Sequence, residues 1–381
     1  MKTILPFFWG CCLLFSGLGL NFREERYPSQ VETERLQSSA FCQKCHVEIY
    51  DAWKNDLHAL SFDDPMFMAS YLESYFVTTG EAKWLCLPCH APVVNINKDF
   101  DLKKDITKEG VTCDFCHSIK SVHPGRQTEV FEFETSGKKR GPLVKSLSPA
   151  HETEPSELFK SSELCAGCHE YVNRNGIPIL ETFSEWKNSP YFNKGVQCQQ
   201  CHMPMVAGHI VSPEIKPARQ KTINRHAISA AHSTEQLQKS VQLEIKRVDR
   251  DDNFVYVEVE LTNVGSGHAV PTGLPTRKLF LWVELRTPTE FYSQRKVYQR
   301  LLRDERGENM EKMIDLFQRA SEVALDTRLK PRETKKESFV FAAPKSKKFT
   351  VTARLEYLFT ANVLSPAEIR VKMAEATRDL K

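Results

Sequence analysis

Residues 255–261 alternate strictly, with Val255, Val257, Val259 and Leu261 on one face and Tyr256, Glu258 and Glu260 on the other. A period of two predicts a half-buried strand. Leu279–Val283 reads the same way, and so does Phe349–Tyr357, where Val351, Ala353, Leu355 and Tyr357 share a face. Turn residues separate these runs, so residues 236–381 are expected to form an antiparallel β-sandwich. Met310–Leu325 has a more helical pattern and is expected to sit between strands as an insertion. No such alternation precedes residue 235. Residues 23–235 hold short apolar patches broken by Gly, Pro and Lys, as in the basic loop Ser136–Lys145. The expected class is therefore α + β in separate domains: a mainly helical, loop-rich part followed by the sandwich. Ahead of both, Lys2 precedes the almost wholly apolar Ile4–Leu20, which carries Gly17 and Gly19. That is the form of an export signal over residues 1–22. An N-terminal membrane anchor is the competing reading, because about 20 apolar residues span a bilayer. Either way the remaining chain is expected outside the cytoplasm, in the periplasm or otherwise exported.

Composition changes this picture only through cysteine. Among 381 residues, 27% charged and 41% hydrophobic content is ordinary for one large or two smaller globular domains. The twelve cysteines are not ordinary. An exported chain favours disulfides, but the spacing argues for something else. Apart from Cys11 and Cys12, every cysteine falls in a Cys-x-x-Cys-His unit: Cys42-Cys45-His46, Cys86-Cys89-His90, Cys113-Cys116-His117, Cys165-Cys168-His169 and Cys198-Cys201-His202. At the chain's own residue frequencies chance supplies roughly 0.01 such units. Two thiols three residues apart share one helical turn and reach the two vinyl groups of a porphyrin, and the next histidine then meets the iron. Zinc needs ligands grouped in fours, which five such units do not provide. A redox dithiol of the thioredoxin kind would appear once. The expectation is haem c, covalently attached, five per chain.

Five irons want five further axial ligands. Seven other histidines are present: His58, His123, His151, His209, His226, His232 and His268. His58, His123, His226, His232 and His268 are expected as distal ligands, and His151 and His209 as spares that would suit a substrate pocket as acid or base. Met66, Met68, Met203 and Met205 are expected as core or porphyrin-contact residues. His268 stands alone in the tight loop Gly265–Gly273 of the later half and is expected to reach across to a haem. The units run from Cys42 to His202, about one per 32 residues. So short a segment builds no core of its own, and the porphyrins must supply much of it. Close packing of haems follows, and with it electron hopping. An internal echo is also visible: Trp53-Lys54-Asn55 matches Trp186-Lys187-Asn188, with His58 and Tyr191 five residues after each Trp.

The segments CQKCHVEIYDAWKNDLHA (residues 42–59) and EWKNSPYFNKGVQCQQCHMP (residues 185–204) resemble multihaem cytochromes related to cytochrome c554. The stretch from Asn224-Arg225-His226 to Ala231-His232, the loop GHAVPTG and the run DTRLKPRE at Asp326–Glu333 add to that resemblance. It implies that His58 is a distal ligand to another haem. Five units differ from the four of cytochrome c554, so that protein's partner and role do not carry over. Tyr191, where the first unit has His58, either packs or leaves one iron without a histidine.

Two functions stand against each other. In the first, every iron is closed and the chain moves electrons between redox proteins, possible partners being a membrane quinol oxidase or reductase system or another cytochrome. In the second, one open iron acts on a small nitrogen or sulfur compound. The supply of histidines favours the first. Charge adds little: the formal net charge is +3, and each haem brings about −1 to −2 through its propionates. No basic face with interleaved aromatics is present, so nucleic acid is not an expected partner. Membrane contact is expected only if the N-terminal segment is retained.

Overall fold

The structure is a computed structural model. It describes residues 36–134, 136–144, 146–215, 220–310, 312–360 and 368–380. The expected export signal or anchor at residues 1–22 lies outside these. Among the described residues no helix is long and apolar enough to cross a membrane.

Seven long strands dominate the later half: β1 (Val241–Arg250), β2 (Phe254–Asn263), β3 (Lys278–Arg286), β4 (Phe291–Tyr298), β5 (Thr334–Ala342), β6 (Phe349–Thr360) and β7 (Glu368–Leu380). They form one sheet in the order β5-β2-β1 and a second in the order β4-β3-β6-β7, with every pairing antiparallel. Alternate residues of β2, β3 and β6 meet in a single core: Val257 and Leu261, Leu281 and Val283, Val351 and Leu355. The expected alternation is real, since Val255, Val257, Val259 and Leu261 are fully buried while Tyr256 is 41% exposed. Leu281 has no exposed surface. Leu281→Ala is therefore expected to cost about 2–5 kcal/mol through lost burial and the cavity left behind, read as a lower denaturant midpoint.

The expected helix over Met310–Leu325 is shorter than the pattern suggests. It spans Met313–Arg319, and the chain then becomes the strand Glu322–Asp326, which pairs with Arg300–Arg303. The reason is packing: Leu302, Met310, Leu316 and Ala320 close on Ile179, a residue of the earlier half. Residues Val31–Lys381 cluster as one compact unit. The expected boundary between residues 235 and 236 falls inside the helix Thr234–Ser240, which runs directly into β1.

The earlier half consists of short helices and two-stranded ribbons. Four of the five Cys-x-x-Cys-His units lie wholly on helices: Lys83–His90, Cys113–His117, Glu163–His169 and Cys198–His202. In the first unit the helix Ser39–Gln43 ends within the motif, and His46 stands immediately before the next helix, Val47–Trp53. The longest helix among the described residues, Pro65–Val77, starts where Asp64 accepts from the backbone N–H of Met66 and Phe67, with Pro65 in the first turn.

The sequence echo extends into a repeated local structure. Trp53 Nε1 donates to Val111 O at 2.9 Å, and Trp186 Nε1 donates to Val196 O at 2.8 Å. Each acceptor lies two residues before a motif. Ser39 Oγ accepts from Cys113 N at 3.4 Å, and Ser162 Oγ accepts from Cys198 N at 3.0 Å. Gly110 and Gly195, ahead of these motifs, both have φ of 69°. At Gly110 a side chain is excluded as well, because a Cβ would lie 2.4 Å from Ala59 O and 2.6 Å from His58 O. So motifs one and three form a pair, motifs four and five repeat it, and motif two is carried between the halves of the first pair. Tyr191, at the position of His58, packs: its hydroxyl donates to Val264 O at 2.9 Å.

Candidate functional site

Histidine prepared for iron needs a free Nε2, which is secured when Nδ1 spends its proton on another acceptor. Four motif histidines do this: His46 to Ile210 O (2.6 Å), His90 to Ser61 O (2.9 Å), His117 to Arg140 O (2.5 Å) and His202 to Ser229 O (2.7 Å). Outside the motifs the same arrangement recurs at His226 with Asn224 O (2.7 Å), His268 with Ala269 O (2.9 Å) and His151 with Glu152 O (3.1 Å). In His58 the Nδ1 partner is the buried Asp56 carboxylate at 3.0 Å. A carbonyl or carboxylate oxygen can only accept, so each of these rings carries its proton on Nδ1.

Three of these rings face a motif histidine. His151 stands 6.2 Å from His46, His58 stands 6.3 Å from His169, and His268 stands 6.3 Å from His202, centroid to centroid. Two metal–nitrogen bonds of about 2 Å with two imidazole radii of about 1.1 Å span about 6.2 Å. The spacing is that of two imidazoles sharing one iron. His226 is the electrostatic neighbour of both His117 and His46. Against His90 stands the ring of Phe67, stacked at 3.7 Å and 6°. No histidine ring pairs with His90 among the described residues.

The remaining histidines behave otherwise. His123, expected as a ligand, has its Nε2 at 3.1 Å from the Glu132 carboxylate. The nitrogen an iron would need is thus occupied, because the β-ribbon Ile119–Val122 with Phe131–Phe133 brings Glu132 alongside. His232, also expected as a ligand, is exposed and packs on Phe359 at 4.8 Å. His209 is held by Glu48 at 2.8 Å. His151, expected as a spare, is instead the ring opposite His46. The signal that could have found it was its place beyond the third motif, in a short strand-bearing segment that returns toward the first. Met66 packs against the β-core, as expected.

Burial acts on the paired rings. It pushes His117 down to about 4 against the opposing Arg140 carbonyl, and His268 down to about 4 against that of Ala269. His169 falls to about 3, through burial and then the charges of His58, His202 and Arg277. Neutral imidazole is the form that binds iron.

The thiols show how the motifs adjoin. The thiols of Cys42 and Cys113, of Cys89 and Cys168, and of Cys165 and Cys198 adjoin closely enough to shift one another's proton affinity. Cys116 lies within electrostatic reach of Cys165 and Cys168. Motif one thus touches three, three touches four, and four touches both two and five. Two buried guanidiniums have N–H groups without a hydrogen-bond partner among the described residues: Arg140 Nη1, on the residue whose carbonyl accepts from His117, and Arg300 Nε, whose neighbouring Nη1 stands 3.4 Å from the Glu181 carboxylate. Buried cationic donors of this kind call for an anionic acceptor, and a haem's propionates are one. Thiol pairs on helical turns, neutral imidazoles at iron-bridging distance and orphaned arginine donors together fit haem.

The comparisons agree with that chemistry. Residues 41–118 and 123–203 match the family described as cytochrome c554 and c-prime, a span of less than half the chain. A solved penta-heme cytochrome c552 from Thermochromatium tepidum superposes with a TM-score of 0.71 at 22% identity, covering 91% of this chain and 99% of that one. That likeness shows the fold. A β-glucosidase from Kluyveromyces marxianus reaches a TM-score of only 0.16 over 37% of this chain and 15% of its own, and carries no argument. No curated protein matches. The motifs have the chemistry that haem c attachment requires.

Proposed function

We propose that the chain is a multihaem c-type cytochrome related to the cytochrome c554 family, that it carries five haems c, and that it passes electrons along them between redox partners. The observation that carries this reading is the set of imidazole pairs at 6.2–6.3 Å. An iron held by two imidazoles has no site for substrate and changes little on reduction, which suits an electron carrier. On this reading His46 and His151 close haem 1, His117 and His226 haem 3, His169 and His58 haem 4, and His202 and His268 haem 5. Imidazole on both faces sets lower potentials than methionine on one. The route follows the contacts between motifs, 1–3–4–5, with haem 2 joined to haem 4. The apolar leader at residues 1–22 supports export, and a periplasmic redox protein or a membrane quinol system is the proposed partner class.

One observation favours a second reading at one haem. His90 has Phe67 stacked beside it, and among the described residues no histidine ring faces it. Haem 2 is therefore the proposed place for an open iron acting on a small nitrogen or sulfur compound. The spectrum of the oxidised holoprotein separates the two. Four low-spin haems and one high-spin haem that shifts with nitrite or hydroxylamine are expected. Wholly low-spin, unresponsive haem would sink the second reading, and high-spin signals from several haems would sink the first.

A further inference from the structure

His268 reaches its place from the β-rich half, not from the motif segment. The repeated local structure supplies the reason. In the first pair the turn that follows the helix Val47–Trp53 carries His58, whose ring faces His169. In the second pair the same position is Tyr191, so the ring that faces His202 comes from the loop Gly265–Gly273. A ring delivered on a loop has to be held there.

The holder is visible. Glu185, immediately before Trp186 of the echo, places one carboxylate oxygen to accept from Ala269 N at 3.0 Å and from Thr272 Oγ1 at 2.7 Å. Its other oxygen accepts from Arg328 Nη1 at 2.6 Å. Arg328 is 6% exposed and is fixed in turn by Asp326 and Glu181. Ala269 is the residue whose carbonyl accepts from His268 Nδ1. The carboxylate thus grips the peptide on one side of Ala269, and the imidazole is bonded to the other. Three further contacts close the loop down. Tyr191 Oη donates to Val264 O, and a Cβ at Gly267 would lie 3.3 Å from Trp186 and 3.4 Å from Tyr191. Thr182 and Thr272 hydroxyls also meet at 2.9 Å.

We propose that Glu185, clamped by Arg328, is a positioning residue that fixes the orientation of His268 on haem 5, so that the contact between the two halves of the chain sets the ligand field of that haem alone. The inference rests on the reading of His268 as the distal ligand of haem 5. It needs no charge to change and no group to titrate. The carboxylate acts by geometry, through two hydrogen bonds to the loop and one ion pair. His202 and His268 are close to parallel, at 17°, whereas the rings of His58 and His169 cross at 58°. Nearly parallel imidazoles give a ferric signal distinct from crossed ones, and with His46 and His151 at 31° the haem 5 rings are the most nearly parallel of the three facing pairs.

The experiment compares three variants of the five-haem holoprotein by low-temperature paramagnetic resonance and potentiometric titration. His268→Ala tests the ligand reading: it is expected to turn one haem high-spin, with low spin restored by added imidazole. If His268→Ala leaves the spectrum unchanged, the ligand reading itself fails. Glu185→Gln tests the inference: haem content and the other four haems are expected to stay as they were, while the near-parallel signal shifts or loses intensity and one potential moves. Leu281→Ala, which weakens the β-core and removes none of the hydrogen bonds that hold the loop, is expected to leave every signal in place. A Glu185→Gln protein whose five signals and potentials match the parent, alongside an altered His268→Ala protein, would overturn the positioning role. So would a Glu185→Gln protein in which all five move together. If Glu185→Gln does not accumulate folded, Thr272→Val removes one hydrogen bond to the same carboxylate and keeps the ion pair. A smaller shift of the same single signal is then expected, and no shift overturns the proposal.

Discussion

Changing Cys165 and Cys168 together to alanine is expected to break the array into three pieces while removing one haem. Motif four is the junction: its thiols meet Cys89 of motif two and Cys198 of motif five, and Cys116 of motif three lies within reach. Without its haem, haems 1 and 3 remain a pair and haems 2 and 5 stand alone. Electrons supplied by a rapid reductant should then stop equilibrating across the chain. Passage to haem 5 is expected to slow by at least about tenfold, a rise of about 1.4 kcal/mol in the barrier. The matched control is Cys42→Ala with Cys45→Ala, which also removes one haem, but from the end of the route. It is expected to leave the other four exchanging as before. Time-resolved reduction, with haem content measured on each variant, checks both. Equal rates in the two variants would remove haem 4 from its proposed place.

The same junction shows what the sequence made legible and what it did not. The five attachment units could be read because their chemistry is local: two thiols and a histidine within one helical turn need no tertiary information. The alternation in β2, β3 and β6 was legible for a similar reason, since a strand buried on one face writes its period directly. Strands β4 and β5 escaped because their faces mix charge with apolar residues. Lys296 reaches Glu337 across the two, with Tyr298 Oη on the same carboxylate at 2.9 Å. Pairing of distal histidines was not legible, because it depends on which loop returns to which motif. His151 and His123 make the point. Both follow the third motif, and nothing in their immediate sequence tells them apart. The fold brings His151 over His46 and gives His123 a carboxylate on the nitrogen that iron would need. The role of Glu185 was hidden in the same way. It precedes a tryptophan in a matched segment, and only the folded chain sets it against a loop more than eighty residues later.

Acid should undo the paired imidazoles before it reaches the carboxylates. Burial pushes His117 and His268 down from 6.5 to about 4. A histidine depressed in this way binds fewer protons folded than unfolded. Its contribution is complete above pH 6.5 and is lost as pH falls toward 4. At pH 4 each loss amounts to about 3 kcal/mol, so the two together approach the whole stability of a typical domain. Iron pulls the same way, because a proton and a metal compete for one Nε2 lone pair. Glu48 and Glu134 have pKa values lowered below 4.5, by hydrogen bonds from His209 and from Arg140 respectively. Their contribution is also lost on acidification, but only below that range. The two sets therefore occupy different windows. The denaturant midpoint is expected to fall between pH 6.5 and pH 4.5, with ferric haem passing from low to high spin over the same interval. His123→Ala is expected to leave that midpoint curve unshifted, because its ring sits at the surface beside Glu132 and faces no motif histidine. A midpoint that holds level down to pH 4.5 would show that the imidazoles are not buried neutral bases, and the iron-bridging pairs would fall with that result.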